Sequence, residues 1–260
     1  MINKALRIKK LKMVKFSLFK SASGTIKITV ILFYLFSFNL STAQETQVDD
    51  PYTFKNGSYL GTGKWYKERE IAHVMGFQGM DWLERPEREA EESATTLLQN
   101  MDIKATDVIA DIGAGSGYHV FRMAGLATEG TIYAVDIQDE MLFVMNEKKE
   151  VLDITNVKVI KGSEQSVNIS ENTLDKVLMV DVYHEFSYPF EMIQSIKKSL
   201  RPEGKIYLIE YRGEDPKVPI KKLHKMTESQ AILEMKAAGF VLFKNINNLP
   251  WQHCMVFELQ

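Results

Sequence analysis

The chain has 260 residues, of which 45% are hydrophobic and 25% are charged, and its formal net charge is −2. This length supplies one sizeable hydrophobic core and at most a small second domain. Residues 1–43 hold eight lysines and arginines and no acid, so the remainder carries 24 basic against 34 acidic residues. A net acidic body lacks the basic face that nucleic acid binding requires, and we therefore expect no nucleic acid partner.

The basic leader is followed by an apolar run over residues 28–40 and then by Ser41, Thr42 and Ala43. A cationic region, an apolar run of this length and a small-x-small end predict a signal peptide over 1–43, cleaved after Ala43. One alternative is an uncleaved membrane anchor, for which the run is short. A buried helix is disfavoured because β-branched and aromatic residues cover every face. Either of the first two readings predicts an exported protein, periplasmic or secreted, with membrane contact only through this segment.

Composition divides the next part of the chain into two stretches. Residues 44–64 are polar and contain one proline and three glycines, which predicts a linker or an extended arm. Residues 65–100 are rich in charged and aromatic side chains, and the stretch 87–98 predicts a helix. Arg69, His73 and Arg85 in this stretch could reach a ligand of the following domain. The alternative for each of them is a solvated, salt-bridged helical face.

Residues 101–260 alternate between predicted strands and helices. Apolar runs that begin near residues 108, 131, 157, 176, 205, 240 and 255 predict seven strands. Helical spacing predicts helices between them, including 189–200 and one opened by the capping box Thr227-x-x-Gln230, while 201–204 predicts a turn. This order is typical of an α/β fold with a doubly wound, mainly parallel sheet, and the last two strands predict an antiparallel hairpin.

A glycine loop follows the first of these strands. After Asp111, glycine occupies every second position at Gly113, Gly115 and Gly117, and helical spacing begins again at Val120. Glycine permits a sharp turn and close approach of a ligand, so a strand, a glycine loop and a helix start predict a nucleotide-binding turn. The alternative is a glycine turn in some other α/β domain. The dinucleotide pattern Gly-x-Gly-x-x-Gly would need glycine at Tyr118, which disfavours a nicotinamide oxidoreductase.

Four predicted strands end in an acid, at Asp111, Asp136, Asp181 and Glu210. In an open α/β sheet, ligands bind beyond the carboxyl ends of the strands. Asp136 lies 25 residues after Asp111, close to the spacing at which an acid meets the hydroxyls of a ribose. A carboxylate accepts two hydrogen bonds from a vicinal diol, and we therefore expect Asp136 to bind a ribose.

The order Asp-x-Gly-x-Gly-x-Gly, strand-Asp136, Gly-Ser-Glu164, strand-Asp181 and Arg-Pro-Glu-Gly resembles the motif series of the class I S-adenosylmethionine-dependent methyltransferases. The resemblance covers about residues 89–259. It implies a Rossmann-like methyltransferase domain over 101–260 that uses S-adenosylmethionine, with no metal, and an N-terminal helical cap over 65–100. The cofactor-binding residues that it implies are Asp111 at the amino end, Gly113, Gly115 and Gly117 under the methionine part, Asp136 with Ile137 at the ribose, Ser163 and Glu164 at the adenine, and Asp181.

The segment Asp181-Val182-Tyr183-His184-Glu185-Phe186 follows the fourth strand, where this family faces its substrate. Asn-Pro-Pro-Tyr, which marks enzymes that methylate base amines or glutamine amides, is absent, and we expect a small-molecule acceptor. We predict His184, Tyr183 and Asp181 as catalytic residues, because histidine titrates near working pH and its neighbours could orient it. The alternative is that His184 caps the following helix, with methyl transfer driven by alignment alone.

The loop after the fifth strand carries Arg212, Lys221, His224 and Lys225 and two prolines. These side chains could receive an anionic acceptor, or they could form an exposed basic loop without a ligand. A second function also fits the sequence, because S-adenosylmethionine is made in the cytoplasm. An exported protein with this fold could bind an adenosyl ligand without turnover.

Overall fold

The structure, a computed structural model, describes residues 50–260; the predicted signal peptide and the start of the predicted linker lie outside these residues. Within 50–260, none of the helices has the length and apolar character needed to span a membrane. A seven-stranded sheet forms the centre of this region. Its strands are β4 (Val108–Ile112), β5 (Thr131–Asp136), β6 (Val157–Lys161), β7 (Leu174–Val180), β8 (Leu200–Tyr211), β9 (Phe240–Asn245) and β10 (Gln252–Leu259).

The strand order across this sheet is β6-β5-β4-β7-β8-β10-β9. The pairs from β6 to β8 are all parallel, and β10 pairs antiparallel with both β8 and β9. The predicted mainly parallel sheet with a C-terminal antiparallel hairpin is therefore confirmed. The order reverses at β4 and β7, and this reversal opens a crevice beyond their carboxyl ends, where ligands bind in sheets of this kind.

In the described part of the chain, three α-helices precede the seven-stranded sheet, and four more lie between its strands. Successive residues of a strand face opposite sides of the sheet. Accordingly, Ile109 packs in one apolar cluster and Ala110 and Ile112 pack in another, so the sheet has a core on each face. The α-helices are α1 (Met80–Leu83), α2 (Arg88–Glu92), α3 (Ala94–Met101), α4 (Val120–Ala124), α5 (Asp139–Val151), α6 (Pro189–Ser199) and α7 (Glu228–Ala237).

Local signals explain where two of these helices begin. The Thr227 side chain accepts a hydrogen bond from the Gln230 amide at 3.1 Å, as the capping box predicts for α7. Pro189 occupies the first turn of α6, where its missing N–H has no intrahelical partner to lose. Cys254 is buried in β10, as expected for a small core residue, and burial raises the pKa of its thiol to about 11.

Residues 52–72 differ from the prediction of a linker followed by a helical cap. They form a small antiparallel sheet of β1 (Tyr52–Phe54), β2 (Gly61–Tyr66) and β3 (Arg69–Ala72), while the helical part of the cap is confined to residues 77–101. Alternating burial explains the strands, because Tyr66 and Ile71 pack with Tyr52 in an apolar cluster against the start of α6. The run of charges over 67–70, which suggested a helix, includes the tight turn between β2 and β3, where Lys67 and Glu68 have positive φ.

The predicted turn over 201–204 is also different, because these residues belong to β8. They form an irregular start of that strand. Leu174 pairs with Leu200, whereas Lys176 pairs with Lys205, so β8 contains extra residues between two pairs. The Pro–Glu–Gly sequence is accommodated as a bulge in a parallel ladder.

Candidate functional site

A cavity of about 610 Å³ lies beyond the carboxyl ends of β4, β5 and β7. Residues 73–88 and the loop 219–224 also line it, so it is bounded by the N-terminal helical region as well as by the sheet. Most of the residues predicted from the sequence meet here. Those that line the cavity are Gly113, Gly115, Asp136, Ile137, Ser163, Glu164, Asp181 and His184.

The glycine loop at the end of β4 needs its glycines for two reasons. Gly113, Gly115 and Gly117 have φ values of +72°, +55° and +82°, a region that side chains disfavour. Each also lacks room, since an added Cβ would lie 2.4 Å from Val182 Cγ2 at Gly113 and 2.8 Å from Leu83 Cδ1 at Gly115. Gly117 does not line the cavity; its neighbours are Phe121 and Met145, so it serves the packing of the following helix.

Asp136 joins the end of β5 to the glycine loop. Its carboxylate accepts hydrogen bonds from the amides of Gly115 and Gln138, both at 2.9 Å. Burial raises its pKa, although these amide hydrogen bonds act in the opposite direction. The side chain is therefore held in one orientation in the lining of the cavity.

Asp111 and Arg88 form the floor behind the glycine loop. Asp111 is 2% exposed and does not line the cavity, whereas Arg88 does. Burial raises the pKa of Asp111 to about 7, with the Arg88 guanidinium opposing this shift and Asp136 adding to it. Arg88 in turn donates to Glu92 at 2.7 Å, one turn further along α2. The resemblance predicts Asp111 at the amino end of the cofactor; in the structure Asp111 lies outside the cavity lining, and its contact with the cofactor stays a prediction.

Asp181 ends β7 with a φ of +50°. One of its carboxylate oxygens accepts a hydrogen bond from the Gln252 side chain at 2.5 Å, and the other is buried with no partner among residues 50–260. Burial and the nearby carboxylates of Glu92 and Glu210 raise its pKa well above the ordinary value. Because a buried polar atom needs a partner, the free oxygen of Asp181 is a natural contact for a ligand donor.

His184, Glu185 and His224 lie together in the lining of the same cavity, and we call this part its acceptor end. The Nδ1 atom of His184 is 2.6 Å from Glu210 Oε2, and its Nε2 atom is 3.1 Å from His224 Nδ1. Burial lowers the pKa of His184, but the Glu210 carboxylate outweighs this effect, so the net direction is upward. The ring of His184 does not cap α6, because the N-cap position is Tyr188 and has no side-chain hydrogen bond. Helix capping is therefore excluded, while a space-filling role with methyl transfer driven by alignment alone stays a hypothesis.

Tyr183 is placed differently from the prediction that it contacts the acceptor. It is fully buried outside the cavity lining, and its hydroxyl donates to Glu234 Oε2 at 2.8 Å. Glu234 also pairs with Arg69 at 2.7 Å, and Arg69 donates to the backbone oxygen of His184 at 3.0 Å. Tyr183 and Arg69 therefore position the turn that carries His184.

Arg69, His73 and Arg85 are the side chains of the N-terminal part that could reach a ligand, and the structure places them in three different positions. His73 lines the cavity, Arg69 reaches the backbone behind it, and Arg85 pairs with Glu91 and Glu92 away from it. In the basic loop, Lys221 and His224 line the cavity, whereas Arg212 donates to the backbone oxygens of Pro250 and Leu249.

Three residues of the site are not predicted from the sequence. Arg88 and Glu92 belong to the predicted helix over 87–98, where only their opposite charges at a spacing of four residues indicate that they pair. Gln252 was missed because it begins β10, and the sequence alone does not show that β10 pairs beside β8. Glu210 was recognised as a strand-end acid, but its partner His184 is 26 residues away.

A family model described as a methyltransferase domain matches residues 103–253. This range includes the seven-stranded sheet except most of β10, together with the glycine loop, Asp136, Asp181 and His184. The match covers more than half of the chain, and it begins after the small N-terminal sheet.

Curated relatives carry the same description. The uncharacterized methyltransferase YdaC of Bacillus subtilis is 27% identical over 153 residues, which are 57% of this chain and 82% of YdaC. A demethylmenaquinone methyltransferase of Bacillus mycoides is 25% identical over 114 residues, 44% of this chain and 48% of that protein. A tRNA U34 carboxymethyltransferase of Hahella chejuensis is 28% identical over 100 residues, 38% of this chain and 31% of that protein.

A solved structure shares the fold. The crystal structure of an S-adenosylmethionine-dependent methyltransferase from Aquifex aeolicus superposes with a TM-score of 0.68 at 21% identity. The superposition covers 72% of this chain and 100% of that chain. At this level of identity the likeness concerns the Rossmann-like architecture.

Proposed function

The chain belongs to the methyltransferase domain family, and we propose that it transfers the methyl group of S-adenosylmethionine to a small organic molecule. The observation that carries the proposal is one cavity with a glycine cradle at one end and a histidine–carboxylate cluster at the other. The cofactor supplies a methyl group on a sulfonium, which is a strongly activated leaving group. The protein's task is to hold an acceptor in line with it and to exclude water.

The cavity fits this cofactor by size, shape and chemistry. Its volume of about 610 Å³ lies within the range of ordinary cofactor sites. Gly113 and Gly115 line the cavity with positive φ values, so the backbone of the loop turns sharply beside the space that a ligand would occupy. Asp136 offers a fixed carboxylate for ribose hydroxyls, and the unpartnered oxygen of Asp181 offers an acceptor for an amino group. Ser163 and Glu164 line the remaining edge, where the adenine would lie.

The acceptor end is the part lined by His184, Glu185 and His224. Because Glu210 binds Nδ1 of His184, the Nε2 atom is the one directed to the cavity. A carboxylate on one ring nitrogen fixes the tautomer and strengthens the other nitrogen as a base. A hydroxyl or thiol acceptor would lose its proton to this cluster as the methyl group is transferred.

A small acceptor is favoured over a nucleic acid by charge and enclosure. Outside residues 1–43 the chain carries more acidic than basic residues, which disfavours binding of a polyanion. A small molecule that enters the cavity needs no continuous basic surface. By their names, the demethylmenaquinone methyltransferase acts on a small molecule, whereas the tRNA U34 carboxymethyltransferase acts on RNA, which is the competing class of acceptor. An RNA acceptor is therefore one arm of the test.

We also propose that the protein acts outside the cytoplasm, on the basis of the basic leader and apolar run of residues 1–43. A fusion of residues 1–50 to a reporter that is active only after export tests this directly. We expect an active reporter and a mature product that begins at Gln44. A reporter that stays inside the cell would reject this location.

The decisive experiment is an equilibrium titration of the purified protein with S-adenosylmethionine, its demethylated product and nicotinamide dinucleotides. We expect binding of the first two and none of the dinucleotides. Gly115→Ala should abolish or strongly weaken binding, because its backbone has positive φ and a Cβ would meet Leu83. Gly125→Ala is the matched control, since it has no positive φ and its nearest neighbour is 3.7 Å away.

Turnover is then tested with isotopically labelled cofactor and a panel of hydroxyl, thiol and quinone-like acceptors, with total RNA as the competing arm. Label transfer to a small molecule supports the proposal. Transfer to RNA alone would replace the acceptor class, and tight cofactor binding without transfer to any cellular extract would favour the non-catalytic binding protein.

A further inference from the structure

We propose that His184, Glu185 and His224 bind a divalent transition metal ion at the acceptor end of the cavity. The three side chains each present one ligand atom to a common point, and all three line the cavity. The expectation drawn from the family resemblance was of no metal. The proposal comes from the geometry of this cluster, and metal binding itself does not depend on methyl transfer.

The distances between the ligand atoms suit a single ion. His184 Nε2 and His224 Nδ1 are 3.1 Å apart, and Glu185 Oε1 is 3.5 Å from the second atom and 3.8 Å from the first. Histidine nitrogens and carboxylate oxygens bind zinc at about 2.0–2.2 Å. Two ligands at such distances lie about 3.0 Å apart at a right angle and about 3.4 Å apart at the tetrahedral angle, near the observed separations.

The groups behind the cluster support the same interpretation. Histidine ligands of metals commonly donate their other ring N–H to a carboxylate, which fixes the tautomer. His184 has this arrangement, with Nδ1 2.6 Å from Glu210 Oε2 and both side chains at most 2% exposed. Glu185 uses Oε2 to accept from the Met75 amide at 3.2 Å, which leaves Oε1 for the ion.

Charge gives a second reason for a cation. Glu185 and Glu210 are buried carboxylates within one cluster, while a histidine that binds a metal is neutral. A divalent ion would balance the two negative charges, and buried charges are stable only when paired or bound to a metal. The two-histidine, one-carboxylate set suits zinc or another late first-row metal rather than magnesium or calcium, which prefer oxygen ligands.

Three protein ligands leave a position open towards the cavity, as in catalytic rather than structural zinc sites. Resting on the proposed function, this position would take the oxygen or sulfur of the acceptor. With Nε2 of His184 bound to the ion, the ion would replace that nitrogen in activating the acceptor: it would lower the pKa of the acceptor's hydroxyl or thiol, whose proton would pass to water. The anion formed would attack the methyl carbon as the carbon–sulfur bond to the cofactor breaks. The site thereby selects acceptors that ionise on a metal, namely hydroxyls and thiols.

The test is calorimetric titration of the full-length, tag-free protein with Zn²⁺ after chelator treatment, without cofactor or acceptor. We expect one ion per chain, and cobalt in its place should give the visible absorption of a low-coordination site. His224→Ala should weaken zinc binding by at least about 100-fold, because loss of an outer partner alone costs about 10–100-fold. His224 is the most exposed of the three and ends a short 3-10 helix (Lys222–His224), so its removal disturbs the core least.

His73→Ala is the matched control, because His73 lines the same cavity outside the cluster. It should leave zinc affinity unchanged. Glu185→Gln serves as a second variant that keeps the size of the side chain, and melting temperatures confirm that each variant is folded. Two results would overturn the proposal: no zinc binding by the folded wild type, or equal zinc affinity of the wild type and both cluster variants. The contact between His184 and His224 would then be a hydrogen bond. Both results are independent of whether methyl transfer occurs.

Discussion

The two ends of the cavity are built in different ways. The cradle end comes from residues close together in sequence, since Gly113, Gly115 and Asp136 occupy two consecutive βα connections. The acceptor end joins His184, Glu210 and His224, which belong to three separate segments, under a cover from residues 73–88. The cradle is thus a local motif, while the acceptor end depends on the packing of the whole domain.

This difference teaches which part of the function is general and which is particular. The cradle places backbone amides and one carboxylate, and any chain with that local pattern can form it. The acceptor end is fixed by buried pairs across elements, such as Arg69 with Glu234 and His184 with Glu210. Variants at the two ends should therefore separate cofactor binding from turnover.

The largest expected effect is at the acceptor end. His184→Ala should reduce turnover by about 10²–10⁴-fold and leave cofactor affinity unchanged, because the proposed role of Nε2 is to activate the acceptor, whereas the cradle residues are proposed to bind the cofactor. Turnover is measured with the acceptor found in the labelling panel, and affinity by titration on the same preparation. Undiminished turnover per folded molecule would remove His184 from the chemistry, and a parallel loss of affinity would mean that the two ends are not separable.

The next effect concerns pH and the floor of the cradle. Burial raises the pKa of Asp111 from 3.8 to about 7, so the folded state holds a proton there that the unfolded state releases. The stabilisation linked to this proton is fully present below pH 4 and is lost as pH rises to about 7. Asp111→Asn should remove this pH dependence. Between pH 4 and pH 8 the free energy of unfolding of the variant should rise relative to that of the wild type by at most about 4 kcal/mol.

Urea unfolding of both proteins across pH 4–8 measures this difference, and shifts from carboxylates that do not interact with Asp111 cancel between them. A constant difference in the free energy of unfolding across the range would contradict a raised pKa at Asp111. Bound cofactor should narrow the difference, because its amino group favours the ionised carboxylate.

A smaller effect is expected at the ribose position. Asp136→Ala should weaken cofactor binding by about 1–3 kcal/mol, since it removes charge-assisted hydrogen bonds to the ligand and frees the Gly115 amide. Asp139→Ala is the matched control: this nearby aspartate is 76% exposed and pairs only with Lys161. Titration calorimetry compares the two. Equal affinity for both variants would exclude Asp136 from the site.

The sequence predicted the cradle well because each of its signals is local. All three signals lie within the 25 residues from Asp111 to Asp136: a strand, a glycine loop and an acid at the end of a strand. The strands over 52–72 could not be predicted, because the burial of Tyr66 and Ile71 that stabilises them comes from packing against α6. The joining of His184 to Glu210 and His224 likewise depends on the order of β7 and β8 and on a loop conformation that no short pattern encodes.

The smallest effect is expected for a substitution of Tyr183. This substitution tests whether the acceptor end of the cavity includes residues behind His184. Tyr183 neighbours His184 in sequence, but its hydroxyl bonds Glu234 in the core. Tyr183→Phe should lower the free energy of unfolding by about 0.5–1.5 kcal/mol, the usual loss of one buried hydrogen bond, and change turnover by no more than about twofold. Glu234 keeps Arg69 and Gln230 as partners, so no buried charge is left alone.

Tyr207→Phe is the matched control, since this tyrosine is buried in β8 and bonds the Met101 backbone oxygen at 3.3 Å, away from the cavity. Both variants should lose stability by similar amounts in chemical unfolding. Turnover and cofactor affinity of both should follow the wild type. A turnover loss above about tenfold in Tyr183→Phe alone would show that the acceptor end extends into the Arg69–Glu234 pair, because that pair is the path from the Tyr183 hydroxyl to the backbone of His184.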